Sequence, residues 1–416
     1  MEDRPVPGTI HRDGIDQCQP GERLFKKKRL YKVSLFILVL LLTGLVFSSL
    51  ASGAPVGNNL GLEGKLGAAI AKAPAGTGAG QIDVNAARGF LGIPGAPKVN
   101  PIVAFLWAIW VGWIFTTVGA FGGIMAGVGH MTVFGLGDYA KGFNKNAPEL
   151  GKVMTDCIRM SNQWLVGLSS GVGTLNFLKA KRLAWPLGLA LGFGSLFGGL
   201  LIPIVTGGKI SFAAYQGWFG IAVFVVGGFL LYETTPKGQA GKKAAKAAAQ
   251  AFEKSIKEKT EAADQGIKVT KWGVLKIEFS FFGVEFGFNP LVAFAGGMII
   301  AAISSFLGVG GGFLYVPYLT SLVGLPMFVV AGTSALAVLA SMVMSIASYL
   351  NFTGAAVDWA LIGTELIGIF IGSMIGPRTQ KYIPDVWLKR LFVVLALYVG
   401  LGYFSKGFFG SSWVPM

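Results

Sequence analysis

Charge, histidine and cysteine are all scarce in this chain. Only 13% of its 416 residues are Asp, Glu, Lys or Arg, where a water-exposed domain carries about a quarter. Hydrophobic residues make up 53% and the mean hydropathy is +0.62. Such a chain cannot cover itself with polar surface, so most of it belongs in lipid. The two cysteines, Cys18 and Cys157, stand in unlike settings, which argues against a disulfide or a thiolate metal site. His11 and His130 cannot complete a metal centre with them, and no metal or other cofactor is expected. No Gly-Lys-Ser/Thr phosphate loop occurs, so nucleotide-driven pumping has no motif to carry it. Basic residues are not interleaved with aromatics, so the net charge of +15 reads as loop lysines facing lipid headgroups and not as a nucleic-acid surface.

Glycine, by contrast, is abundant at 62 residues, and it is placed twice in the same way. Asn100 opens NPIVAF and Asn289 opens NPLVAF, and 19 residues after each asparagine an apolar run reaches a glycine cluster, GAFGG from Gly119 and GVGGG from Gly308. Further on, Asn176-Phe177 answers Asn351-Phe352, Trp185 answers Trp359, and Gly194 with Gly198 answers Gly368 with Gly372, while the offset falls from 189 to 175 and then 174. A shared start, span and break signal an internal duplication. The expected fold is an all-α polytopic membrane protein of two four-helix repeats, residues 100–232 and 289–405. The first set of spans is Pro101 to Thr117, Val153 to Phe177, Leu183 to Ile204 and Tyr215 to Tyr232. The second is Leu291 to Leu307, Phe328 to Tyr349, Trp359 to Ile375 and Val386 to Phe404.

Outside the repeats, residues 1–30 form a basic, cytoplasmic N-terminus, and Tyr31 to Ala51 is an extra transmembrane anchor or a cleaved signal peptide. Residues 52–99 read as a weakly structured extramembrane segment and 406–416 as a tail. The polar linker 233–288 starts as a solvated helix and continues with period-two alternation on both sides of Gly283, which predicts a small β-hairpin. Nine spans counted from a cytoplasmic N-terminus put the linker and Lys179, Lys181 and Arg182 outside, against the positive-inside tendency. They put Arg378, Lys381, Lys389 and Arg390 inside, with it.

Gly308, Gly310, Gly311 and Gly312 carry the sharpest signal. Four glycines should break a helix at membrane depth, and broken backbone is tolerated there only where protein or a water-filled cavity satisfies it. Freed N–H groups at a helix start attract anions, so the cluster and its first-half counterpart Gly119, Gly122 and Gly123 are candidate substrate contacts; close helix packing is the competing reading. Gly332, Thr333 and Ser334 follow as candidates, at the head of a serine face that continues through Ser341, Ser345 and Ser348. Asn176 and Asn351 are added as paired candidates. Arg159 lies one or two turns into a span; it is either a countercharge for an anion, with Asn162 and Gln163 as donors on its face, or a local partner of Asp156. Glu365 is an acid well inside a span and His130 titrates near neutral pH, which makes both candidates for proton coupling; a packed glutamate and a loop histidine are the alternatives.

The blocks GVGGGFLYVPYL, AGTSALAVL and NFTGAAVDWALIG, within Asn289 to Phe404, resemble the TauE/SafE sulfite exporter family of membrane permeases. The first half resembles it more loosely, with GAFGG in place of GVGGG and Cys157 to Arg159 in place of GTS. The resemblance implies a two-repeat permease of the inner membrane that carries sulfite, a sulfonate or a related small anion. The expected partners are that anion and membrane lipid, with a homo-oligomer possible. An ion-gradient-driven transporter is the first expectation and a passive anion channel the alternative; an enzyme is not expected, because no nucleophile, base and orienter occur together.

Overall fold

The computed structural model describes residues 64–118, 121–239, 242–258, 265–309 and 311–415. The anchor at 31–51, Gly119 and Gly310 lie outside the described residues. In chain order the helices are α1 Gly64–Ala71, α2 Pro101–Val118, α3 Gly122–Val128, α4 Leu136–Asn146, α5 Pro148–Lys179, α6 Trp185–Thr206, α7 Phe212–Thr234 and α8 Lys243–Lys257. Strands β1 Lys268–Lys271, β2 Ile277–Phe281 and β3 Val284–Phe288 follow. They precede α9 Pro290–Leu307, α10 Gly312–Pro317, α11 Met327–Ser348, α12 Trp359–Gln380 and α13 Asp385–Phe408. Wide π-turns extend α3 over Gly129–Val133, α10 over Tyr318–Leu322 and α11 over Tyr349–Thr353.

Among the described residues, seven helices are long and apolar enough to cross a membrane: α2, α6, α7, α9, α11, α12 and α13. Their outward faces carry large apolar side chains such as Ile102, Trp218, Val225, Leu291, Ile367 and Val394, which lipid accepts and water does not. The expected span Val153 to Phe177 lies within α5, which has 32 residues but is not one of the seven. Asp156, Arg159, Asn162 and Gln163 dilute its apolar character, and all four are buried. α5 therefore belongs to the protein interior, beside α11, whose most apolar stretch is 94% buried.

Neither α2 nor α9 leads to the opposite face, as four crossings per half would require. After each glycine break the chain folds back along the helix it has just left. Trp107 Nε1 of α2 donates to the Met125 carbonyl of α3, and Tyr318 Oη donates to the Val292 carbonyl at the start of α9. Each half is thus one broken hairpin followed by three long helices. The hairpins point in opposite directions. α2 starts beside residues 64–99, whereas α9 starts beside the linker sheet.

Small residues set the helix spacing. A Cβ at Gly194 of α6 would stand 1.9 Å from the Phe294 carbonyl oxygen of α9, and one at Gly372 of α12 would stand 1.9 Å from the Ile109 carbonyl oxygen of α2. Backbones this close leave room for no side chain, as expected for helix association in lipid.

The linker face differs from its expectation in two ways. The helix α8 is docked, because Ala245, Ala248, Ala249 and Phe252 recur at helical spacing and bury one side. The sheet has three antiparallel strands in the order β1-β2-β3, closed at Phe282-Gly283 where both φ values are positive, as a tight primed turn requires. Phe252 meets Phe281, Phe282 and Phe328 and lies under the Arg182 guanidinium. Truncating a buried Phe costs about 3–5 kcal/mol. Phe252→Ala is accordingly expected to release α8, read as faster tryptic cleavage between Lys243 and Lys257 while Lys152 and Arg159 of α5 stay protected.

Residues 64–99 are ordered, contrary to the weakly structured segment expected from composition. Leu66, Ile70, Ile82, Phe90 and Ile93 are buried. The segment rests on the helices: Leu91 N donates to Asp358 Oδ2 (2.9 Å), and Asn146 Nδ2 donates to the Ala79 carbonyl. Low periodicity hid this, because the stabilising surface is supplied by other parts of the chain.

Candidate functional site

The break after α9 is built by two left-handed glycines, Gly308 (φ 66°) and Gly311 (φ 74°), a region that non-glycine residues seldom enter. It ends the regular bonding of the last α9 carbonyls, with Gly308 N bonded to Ser305 O at the cap. Arg159 takes two of them, donating from Nη2 to Ser305 O (2.8 Å) and Phe306 O (2.6 Å), and Tyr215 Oη donates to Leu307 O. Arg159 Nη1 donates to Asp156 Oδ1 at 3.2 Å, and Asp156 Oδ2 accepts from Gly208 N. The rings of Tyr215 and Tyr349 lie 6.0 and 5.4 Å from the guanidinium carbon. The local pair with Asp156 therefore exists, and the same guanidinium holds the tip of the second hairpin.

The tips of the two hairpins meet. A Cβ at Gly123 would stand 2.0 Å from the Val309 carbonyl oxygen and 3.3 Å from Val166 of α5. One at Gly127 would lie 3.4 Å from Asn162 Nδ2 and 3.5 Å from Val309 Cγ1. Gly122, Gly123, Gly308, Gly311, Arg159 and Asn162 are thus gathered around one crossing point, and Gly312 opens α10 beside it. Among the buried polar atoms of α5 and the end of α9, Asn162 Nδ2, both side-chain heteroatoms of Gln163, Ser305 Oγ and Arg159 Nε have no partner. A buried donor without a partner is costly in a sealed interior and useful where a ligand supplies the partner.

Other sequence candidates are placed elsewhere. Gly332 faces Phe177, at the far end of α5 from Arg159 and about 27 Å along the helix at 1.5 Å per residue. Thr333 Oγ1 accepts from Ala184 N and donates to Val329 O, while Ser334 Oγ donates to Ala331 O. These three were expected as substrate contacts together with the glycine cluster. The reversal after Gly311 carries the chain back to the linker face before α11 begins, so neighbours in sequence end far apart. Asn176 Nδ2 contacts Met374 Sδ towards the far end of α5, and Asn351, within the π-turn that also carries Tyr349, donates from Nδ2 to Ala347 O. Lower on the serine face, the hydroxyls of Ser341 and Ser345 are buried without partners, and Ser348 Oγ donates to Leu200 O.

His130 is not in a loop. It sits in the π-turn after α3, fully buried, with Nδ1 bonded to Asn162 Oδ1 and Nε2 3.0 Å from Glu365 Oε2. The two coupling candidates are therefore in direct contact. Sequence reasoning missed Tyr215 and Tyr349, which flank Arg159, and Gln380, whose Nε2 donates to Thr117 O just before the first break (2.9 Å) while its Oε1 accepts from Arg182. No motif marks these residues; an aromatic or amide in a span resembles ordinary packing.

Seven membrane-length helices, two of them the long arms of broken, oppositely directed hairpins, define a polytopic α-helical membrane protein. Residues 104–403 match the family model described as Sulfite exporter TauE/SafE, and the chain belongs to that family. Membership makes it a multi-pass membrane transporter of the sulfite and sulfur-anion class. No curated protein and no solved structure matches the chain.

Proposed function

We propose that the chain is a secondary transporter for a small sulfur-containing anion, sulfite or a short sulfonate, which binds where the two hairpin tips cross. The observation that carries this reading is the contact of Gly123 with Val309 near the unpartnered Asn162 Nδ2. N–H groups at the starts of α3 and α10, freed by the breaks, add donors that suit an oxyanion. Arg159 keeps positive charge at the second tip and holds its shape, so its effect on the substrate is exerted largely through that tip.

In this reading the two halves are inverted copies. The glycine pairs support it: Gly194 and Gly198 pack on the Phe294 and Met298 carbonyls, and Gly368 and Gly372 on those of Phe105 and Ile109, at the same offset of 189 that relates the two NP motifs. A hairpin plus three crossings is odd in number, which inverts the second half relative to the first and allows alternating access around a fixed central site. The linker face is assigned to the cytoplasm of an inner-membrane protein. Ile267 N bonds to Lys181 O and Asp385 N to Glu253 Oε1, so Lys179 to Arg182, the linker lysines and the turn between Arg378 and Arg390 share one face. The conflict in the nine-span count came from treating each broken hairpin as a crossing.

The test is counterflow in proteoliposomes. Radiolabelled sulfite or methanesulfonate is expected to exchange with saturation and to be competed by related sulfur oxyanions. Ohmic currents without saturation would instead favour the passive anion channel.

A further inference from the structure

His130, Asn162 and Glu365 come from three different segments and close on one another with no exposed surface. An amide oxygen only accepts, so the bond between Asn162 Oδ1 and His130 Nδ1 places a hydrogen on Nδ1. The 3.0 Å contact between Nε2 and Glu365 Oε2 needs one hydrogen more. That hydrogen makes either imidazolium with carboxylate or imidazole with carboxylic acid, and the pair is electrically neutral in both forms. Glu365 Oε1 remains buried without a partner, as does Asn162 Nδ2. The cluster therefore offers one vacant position for a proton and one free N–H donor.

Packing does not demand these residues. In the register that relates the halves, their counterparts are Leu319, Ala337 and Leu191, all apolar and fully buried. The corresponding positions of the other half are filled without an ionisable side chain. The cluster also adjoins the tip crossing, since Gly127, three residues before His130, approaches both Asn162 Nδ2 and Val309.

We infer that the His130–Glu365 pair is a proton-coupling site, and that one proton on the pair and one anion at the tip crossing are carried together. This inference rests on the reading of the tips as an anion site. An anion beside a neutral pair, away from water, is an uncompensated charge and costly to bury. One further proton, taken on Glu365 Oε1 from the side to which the site is open, makes the pair imidazolium with carboxylic acid and balances that charge. Asn162 Nδ2 then donates to the anion. When the site opens to the other side, the proton leaves Oε1 with the anion, and only that O–H bond is made and broken.

Other ionisable groups around the cluster do not change charge in this cycle. Asp156 and Arg159 of α5 are paired with each other. Tyr403 of α13 bonds through its hydroxyl to Thr132 Oγ1, and Tyr215 of α7 to Leu307 O, both as neutral phenols. The remaining ring against His130 is Phe134, which meets it edge-on.

The test uses the full chain in proteoliposomes with radiolabelled methanesulfonate, a singly charged anion across the working pH range, so that a pH effect cannot arise in the probe. Two quantities are read: counterflow between equal pools at one pH, and the steady-state accumulation ratio under a pH gradient. Wild type is expected to show counterflow and to accumulate the anion towards the alkaline side. In Glu365→Gln and His130→Gln the accumulation ratio should fall to its value without a gradient, whatever exchange rate remains. A wild type that exchanges methanesulfonate but ignores the gradient overturns the coupling and leaves the anion site standing, as does either variant that still concentrates the anion in response to pH. If neither methanesulfonate nor sulfite shows counterflow in wild type, the anion site itself is overturned and the coupling with it. Should one variant fail to insert, the other decides, because each removes one member of the bonded pair.

Discussion

Gly123→Ala is expected to abolish transport while the chain still inserts in the membrane. The added Cβ would meet the Val309 carbonyl oxygen at 2.0 Å, with the Val309 carbonyl carbon at 3.0 Å behind it. Both partners are backbone, so no side chain can rotate away, and the two tips must separate. Overpacking of this kind costs about 1–3 kcal/mol, small against the packing of seven long helices but concentrated at the crossing itself. The matched control is Gly363→Ala on α12, where a Cβ meets nothing within 4 Å. That substitution should leave transport unchanged and favour the helix by up to about 1 kcal/mol. Counterflow together with a thermal melt in detergent separates the outcomes. Wild-type exchange in Gly123→Ala would remove the tips from the mechanism.

Arg159→Gln should cost more in stability than any other single change at the site. The guanidinium is fully buried and holds Asp156, Ser305 O and Phe306 O at once. Gln can reach one of these and carries no charge. Asp156 would be left as a buried, uncompensated carboxylate, a situation that costs about 3–5 kcal/mol. Arg159→Lys should rescue little, because a single ammonium cannot reproduce the planar fork that spans two carbonyls and a carboxylate. The double variant Arg159→Gln with Asp156→Asn is expected to recover much of the lost thermal stability, since it removes the stranded charge, yet to remain impaired in transport. Recovery of both properties would reduce Arg159 to a structural pair with Asp156.

Much of the helical frame was legible because span length and glycine spacing are local properties of the sequence. Trp185 and Trp359 open α6 and α12 where the register between the halves places them, and the apolar runs end within a few residues of the observed helices. The direction of the chain after a glycine break is not a local property. GVGGG announces that α9 ends, but whether α10 continues outward or turns back depends on Tyr315 and Tyr318 finding Gly297 O and Val292 O on the helix already passed. That one undetermined choice displaced Gly332, Thr333 and Ser334 from the expected site. His130 and Glu365 stand 235 residues apart, and nothing in either neighbourhood announces the other. Each was legible only as an ionisable group too costly to bury without a partner.

The central claim is that a small anion occupies the crossing of the two tips, and a single cysteine there tests it most directly. Val309→Cys, in a chain with Cys18→Ser and Cys157→Ser, places a thiol against Gly127, next to the backbone contact with Gly123. Its labelling by a membrane-impermeant thiol reagent is measured from each side of sealed proteoliposomes, with and without methanesulfonate. The account predicts labelling from both sides, slowed by methanesulfonate over the same concentration range that saturates counterflow. Labelling that methanesulfonate leaves unchanged, while counterflow proceeds, would contradict it and place the anion elsewhere in the molecule.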